Sequence, residues 1–166
     1  DEMALKIIEQ LTPYGSVYIT SERMFDKKFE PFRLNIDPLD IHHVMSFADM
    51  FIGDSQTMAA ESGVLGVPFI RFNDFVGRIG YLNQLENTYK LGFGINPSEP
   101  THLLETISEL LVMQDRKLVF QNRRKEMLYK NINVSSFLLW FIENYPGSIT
   151  VIKNTPEFQN RFIGYL

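Results

Sequence analysis

The sequence predicts an α/β domain in which a mostly parallel sheet is covered by helices on both faces. Three observations point there. Strand-like and helix-like segments alternate from the start of the chain to about Met113. The segments Asp49–Gly53 and Val67–Phe72 are apolar along most of their length, as strands buried on both faces are, rather than alternating polar and apolar. A tight turn, Asp54-Ser55-Gln56-Thr57, joins the first of them directly to a helix of small residues.

The chain's 166 residues give room for one ordinary domain, and 45% apolar against 22% charged side chains rules out a disordered or low-complexity chain. A net charge of -4 has the wrong sign for a protein whose main task is neutralising nucleic-acid phosphates. Without cysteine, a disulfide framework, thiol catalysis and zinc knuckles are excluded. No run reaches the roughly 18 to 20 apolar residues that cross a bilayer, and no basic-then-apolar leader opens the chain. The expected location is the cytoplasm. Because the chain opens at Asp1, on the threshold of a helical pattern, it reads as a fragment.

Taken in order, Met3, Ala4, Ile7, Ile8 and Leu11 form one helical stripe over Glu2–Leu11, which ends before Pro13 and Gly15. Ser16–Thr20 is β-branched and aromatic and predicts a short strand, and Phe32–Ile36 a second. Asp37-Pro38 supplies an N-cap with proline at the first helical position for a helix over Leu39–Ala48. The strand Asp49–Gly53 leads into the helix Met58–Leu65, closed by Gly66, and Val67–Phe72 is the next strand. A helix over Ile79–Tyr89, a strand over Leu91–Ile95 weakened by two glycines, and a helix over Pro100–Met113 continue the alternation. Arg116–Tyr129 is a charged amphipathic helix whose basic run forms a solvated outer face. Val134–Glu143, with Phe137-Leu138-Leu139-Trp140-Phe141-Ile142, is apolar on more than one side and must pack against something. The tail after Pro146-Gly147 has no clear period, yet holds Phe158, Phe162, Ile163, Tyr165 and Leu166.

In parallel α/β sheets ligands bind beyond the carboxyl ends of the strands, which directs attention to Gly53-Asp54-Ser55-Gln56-Thr57. Asp54 or Ser55 can cap the helix while its first amides point outward, an arrangement suited to an anion. Glu61 lies one turn deeper on nearly the same face, where a carboxylate would repel phosphate but accept hydrogen bonds from the vicinal hydroxyls of a ribose. His42 and His43 sit on the preceding helix, and one of them can face the same cleft. Arg71, at the end of the following strand, is a candidate phosphate or sugar partner or else half of a structural salt bridge, and Arg78 reads as an ordinary surface arginine. Gly53-Asp54-Ser55 also has the outline of a hydrolase elbow, but the only later histidine, His102, belongs to a different helix and the triad lacks its members. No His/Asp/Glu cluster has metal-ligand spacing.

The run Ala48-Asp49 through Ser55, Glu61 and Gly66-Val67-Pro68 resembles the signature of the carboxyl-terminal domain of GT-B glycosyltransferases and UDP-N-acetylglucosamine 2-epimerases. Within that superfamily it most resembles an uncharacterised epimerase-like family with the pattern Asp-Ser-x-Thr-Met-Ala-x-Glu, here Asp54 to Glu61. The similarity runs from about Met3 to Leu111 and includes Tyr18-Ile19-Thr20-Ser21-Glu22 and Ile70–Gly77. The resemblance implies a Rossmann-like fold in which Ser55, Gln56 and Thr57 hold a nucleotide diphosphate, Glu61 holds the ribose, and His42 or His43 approaches the phosphate. It differs from many relatives in placing Gln56 and Thr57 where they have glycine.

By the same resemblance, residues 1–113 are the nucleotide-sugar-binding domain and 114–166 are helices and a tail that pack on it or on an absent amino-terminal Rossmann-like domain. The chain would lack the domain's first strand, a position that Ser148–Ile152 or a neighbouring molecule could fill. The implied function is the UDP-sugar-binding half of an epimerase-like or glycosyltransferase-like protein, inactive alone and needing no cofactor, with a second copy of the chain among its candidate partners. The alternative is a non-catalytic binding or assembly module that keeps the fold.

Overall fold

The structure is a computed structural model that describes residues 2–21, 24 and 26–164. Expectations placed on Asp1, Glu22, Tyr165 and Leu166 lie outside the described residues. The sheet has three parallel strands in the order β1 (Phe51–Gly53), β2 (Phe69–Phe72) and β3 (Gly92–Ile95). Helix α3 (Gln56–Leu65) crosses from β1 to β2. Helix α4 (Gly80–Asn83), continued by a π-helical turn over Gln84–Thr88, crosses from β2 to β3. Helix α5 (Pro100–Val112) follows β3 and packs on β2. The first helix, α1 (Glu2–Leu11), is tied to α5 by Gln10, whose amide donates to the Leu104 carbonyl at 2.9 Å and to Ser108 Oγ at 2.7 Å.

Strand register explains why one face of the sheet can be so thin. Phe51 pairs with Phe69 and Phe69 with Gly92, while Gly53 pairs with Arg71 and Arg71 with Gly94. Because side chains alternate along a strand, these six residues share the face that α3 and the π-helical turn cover. A Cβ at Gly92 would lie 2.4 Å from the Phe69 ring, and one at Gly63 of α3 2.9 Å from the same ring. Phe69 thus fills the room that two glycines leave, and it is fully buried. Ile52, Ile70, Phe72 and Phe93 alternate onto the other face, towards the buried Leu103, Ile107 and Leu110 of α5.

Two expected strands do not form. Around Ser16–Thr20 and Phe32–Ile36 there is a single parallel bridge, in which the Ile19 amide donates to the Phe32 carbonyl at 2.7 Å and the Leu34 amide to the Ile19 carbonyl at 2.9 Å. Lys27–Phe32 is instead wound into a 3-10 helix, capped by the Asp26 carboxylate on the Lys28 amide, so little extended chain is left to pair. Asp37-Pro38 does start a helical turn, with the Asp37 carboxylate accepting the Leu39 amide at 2.9 Å, but the α-helix proper is only α2 (Ile41–Phe47). The helix expected over Ile79–Tyr89 changes pitch at Gln84, where the Tyr89 amide reaches back to the Gln84 carbonyl.

Helix α6 (Arg116–Lys130) belongs to the same core, since Phe120 is fully buried and Met127 nearly so. Its basic run is not simply a solvated face. Arg124 Nε donates to the Val64 carbonyl at 2.6 Å, Gln121 Nε2 to the Leu65 carbonyl at 2.9 Å, and Arg123 Nη1 to the Lys90 carbonyl at 2.7 Å. Carbonyls at the negative end of α3 thereby gain donors that the helix cannot supply itself. Gly66 caps α3 with φ 77°, and a Cβ there would also strike the Gln121 amide.

The tail is helical. α7 (Val134–Glu143) and α8 (Gly147–Asn154) meet across a turn in which the Ser148 hydroxyl donates to the Phe141 carbonyl at 2.7 Å and the Ser148 amide to the Asn144 carbonyl at 2.9 Å. These bonds wind Ser148–Ile152 into α8, which overturns the expectation that it could serve as a sheet strand. A final 3-10 helix, Pro156–Phe162, folds back so that Phe158 stacks on Trp140 at 4.5 Å and Phe162 meets Phe137 edge-on at 5.6 Å. Those contacts cover one side of α7, and Leu138, Leu139 and Ile142 remain exposed on the other.

The Gly92–Phe69 contact yields a test. Gly92→Ala is expected to lower folding stability by about 1–3 kcal/mol, since the ring has no open space to enter. Urea unfolding checks this, with the exposed Gly80→Ala as the control that should stay within about 0.5 kcal/mol.

Candidate functional site

β1 ends at Gly53, and Ser55 takes up the extended backbone of an N-cap, with φ -73° and ψ 121°. Its Oγ accepts the Met58 amide at 3.3 Å and its carbonyl accepts the Ala59 amide at 3.1 Å. The amides of Gln56 and Thr57, the first two residues of α3, have no acceptor among the described residues. They form the positive end of a ten-residue helix at the carboxyl edge of the sheet, with Thr57 exposed and Ser55 and Gln56 half-buried. The side chain that the hydrolase outline would need as nucleophile is already engaged as the cap.

Glu61 and His42 come together. His42 Nε2 lies 3.1 Å from Glu61 Oε2, with both side chains partly exposed, so α2 and α3 are joined beside the same turn. One carboxylate oxygen remains for another donor. His43 is also exposed and its backbone carbonyl, not its ring, is used, accepting the Ser46 hydroxyl at 2.7 Å. Arg78 is exposed.

Arg71 is not presented to a ligand. Its side chain is completely buried, with Nε and Nη2 at 2.9 Å and 2.8 Å from Glu86 Oε1 and Nη1 donating to Asn73 Oδ1 at 2.8 Å. Asn73 passes the constraint on: its Nδ2 donates to the Asp54 carbonyl at 2.8 Å, and its Oδ1 also accepts the Phe75 amide at 3.0 Å. Of the two roles the sequence leaves open for Arg71, the structural ion pair is the one formed. Through Asn73 it holds the turn between β1 and α3 in place. Burial pushes the Glu86 carboxyl above its ordinary range, against the opposing pull of the Arg71 guanidinium.

Glu86 and Asn73 are the residues that sequence reasoning missed. Glu86 stands 15 positions from Arg71, in a helical segment where a glutamate reads as solvent-facing. A signal existed in Gly92 and Gly94, because glycine inside a strand marks a close approach. A Cβ at Gly94 would lie 2.6 Å from Glu86 Oε2.

Two of the surface hollows stand out, and Ser55, Gln56 and Thr57 line neither of these two. One, of about 580 Å³, lies at the amino end of the sheet between Asp49, Met113 and Arg116; the other, of about 200 Å³, lies beside β3 between Glu86, Gly94 and His102. Among the described residues no group of three or more His, Asp or Glu side chains could hold a metal ion, and no helix is long and apolar enough to cross a membrane. No protein-family model, curated protein or solved structure matches the chain.

The buried pair makes a pH-dependent prediction. Arg71→Met leaves Glu86 enclosed without its counter-charge and is expected to cost about 3–5 kcal/mol at neutral pH. Loss of the guanidinium raises the folded-state pKa of Glu86 further above the unfolded value of 4.5, so the folded state binds the extra proton. Stability is then greatest below 4.5 and falls as pH rises through the folded-state value, so the deficit relative to wild type should shrink on acidification. Urea melts of both proteins from neutral to mildly acid pH measure it; a pH-independent deficit would contradict this account.

Proposed function

We propose that the chain is the nucleotide-sugar-binding half of a GT-B-type protein, epimerase-like or glycosyltransferase-like, acting in the cytoplasm with UDP-sugar as its ligand. The observation that carries the reading is the pair of unpaired amides at Gln56 and Thr57, just beyond the carboxyl end of β1, with Glu61 one helical turn further on. In this reading those amides and the Thr57 hydroxyl grip the diphosphate, and the free oxygen of Glu61 accepts a ribose hydroxyl. His42 Nε2, 3.1 Å from Glu61 Oε2, lies beside the carboxylate that takes the ribose. The uridine is inferred from the resemblance alone. Catalytic groups belong to a second, amino-terminal Rossmann-like domain, so this half binds and does not turn over, and it needs no further cofactor.

A second reading, a non-catalytic assembly module or homo-oligomer, is favoured by one observation: α7 presents Leu138, Leu139 and Ile142 to solvent.

Calorimetric titration with UDP and UDP-N-acetylglucosamine distinguishes the two. Binding is expected in the range of about 0.1–1 mM, and Glu61→Ala should weaken it roughly 2–10-fold, the worth of one hydrogen bond. Absence of heat with either ligand, or affinity indifferent to Glu61→Ala, assigns the chain to the assembly reading.

A further inference from the structure

The hollow beside β3 has the features of a built site, independent of the phosphate-binding turn. It opens at the carboxyl end of the sheet, between the loop after β2, the π-helical turn and the first turn of α5, where ligands of parallel α/β sheets bind. Its polar groups come from three separate elements: Gly77 from the loop, Asn83, Glu86 and Asn87 from α4 and the π-helical turn, and His102 from α5. The strand beside it contributes Gly92 and Gly94, whose missing side chains leave room for Phe69 and Glu86.

One of these groups is more costly to bury than packing alone explains, and a second keeps an acceptor free. Asn83 is fixed by its Nδ2, which donates to the Gly77 carbonyl at 3.0 Å, and its Oδ1 is buried without a donor among the described residues. The Glu86 side chain is 6% exposed; Oε1 is taken by Arg71, and Oε2 has no hydrogen-bond donor among the described residues. Asn83 Oδ1 therefore calls for a donor, and Glu86 Oε2, which still reaches water, has lone pairs free to accept a second one. The ligand need not be a cation, because the Arg71 guanidinium already neutralises the Glu86 carboxylate from behind. An anion would meet two acceptors and be repelled. The volume, about 200 Å³, is the share of roughly six or seven waters, which suits one small ring and excludes a nucleotide.

The geometry points to a second binding site, between α4, β3 and α5, for one small uncharged polyhydroxylated ring, a monosaccharide or cyclitol, whose hydroxyls donate to Asn83 Oδ1 and Glu86. The ring's apolar edge lies against Val76, and exposed His102 closes the open side.

The test is an NMR titration of the 166-residue chain with glucose and with myo-inositol, following the Gly92, Gly94 and His102 amides. Saturable shifts are expected with a Kd on the order of 1–10 mM for at least one of them. They should weaken at least about fivefold in Asn83→Leu, which removes the acceptor, and in His102→Ala, an exposed position whose loss leaves the core intact. Unsaturated shifts with both probes, or affinity unaltered in both variants, overturn the proposal. So does tighter binding of cationic glucosamine, which would make this a cation site. UDP titrated alone should leave these amides in place; UDP shifting them as its primary site would also overturn it. Failure of UDP to move the Gln56 and Thr57 amides counts against the phosphate-binding reading and leaves this one standing.

Discussion

The buried ion pair between Arg71 and Glu86 is the constraint on which the rest of the sheet depends. Both side chains are almost wholly withdrawn from water, at 0% and 6% exposure, and neither could be buried alone without a large desolvation penalty. Meeting at 2.8 Å requires Arg71 on β2, Glu86 on the turn before β3, and no side chain at Gly94 between them. A one-residue slip of β3 would turn Phe93 onto the face that Glu86 occupies. The same pair reaches, through Asn73, the carbonyl of Asp54 at the mouth of α3. One charge pair thus sets strand register, the path of the π-helical turn and the position of the candidate site.

Around that pair the packing works by complementary volumes. Phe69 occupies the room left by Gly63 and Gly92, and Gly66 leaves room for Gln121 of α6. Between the π-helical turn and β3 the chain passes through Lys90, with φ 52°, whose carbonyl is taken by Arg123. α6 is therefore more than an appendage: its polar side chains terminate α3 and the turn before β3, while Phe120 and Met127 enter the core from the same helix. The last helices form a second, aromatic layer around Trp140, Phe158 and Phe162, pinned to the link between α6 and α7 where Ile132 bridges Ile163.

The candidate turn and the hollow beside β3 are unlike in kind. At the turn, donors of the backbone lack acceptors, and the chemistry is that of an exposed helix end beside a histidine and a carboxylate. In the hollow, a buried side-chain acceptor, Asn83 Oδ1, lacks a donor. Both lie at carboxyl ends of strands, and Arg71 and Asn73 run between them.

Local chemistry determined much of this from the sequence. The apolar runs of β1 and β2, the Ser55 cap, the Gly66 stop and the 3.6-residue stripe of α1 are short-range features, so the α/β alternation and the outward-facing amides of Gln56 and Thr57 were legible before any contact was known. Strand formation at Ser16–Thr20 and Phe32–Ile36 was not, because a strand exists only with a partner and the 3-10 winding of Lys27–Phe32 left a single bridge. Nor was the role of Arg71 or the basic run of α6: whether an arginine meets solvent, a ligand or a distant carboxylate depends on what the fold brings beside it. Glu86, Asn73 and the carbonyls of Val64 and Leu65 are such neighbours. Periodicity specifies which face of an element is apolar; only tertiary packing decides which charges end up enclosed together, because that pairing is set by distance in space and not by spacing along the chain.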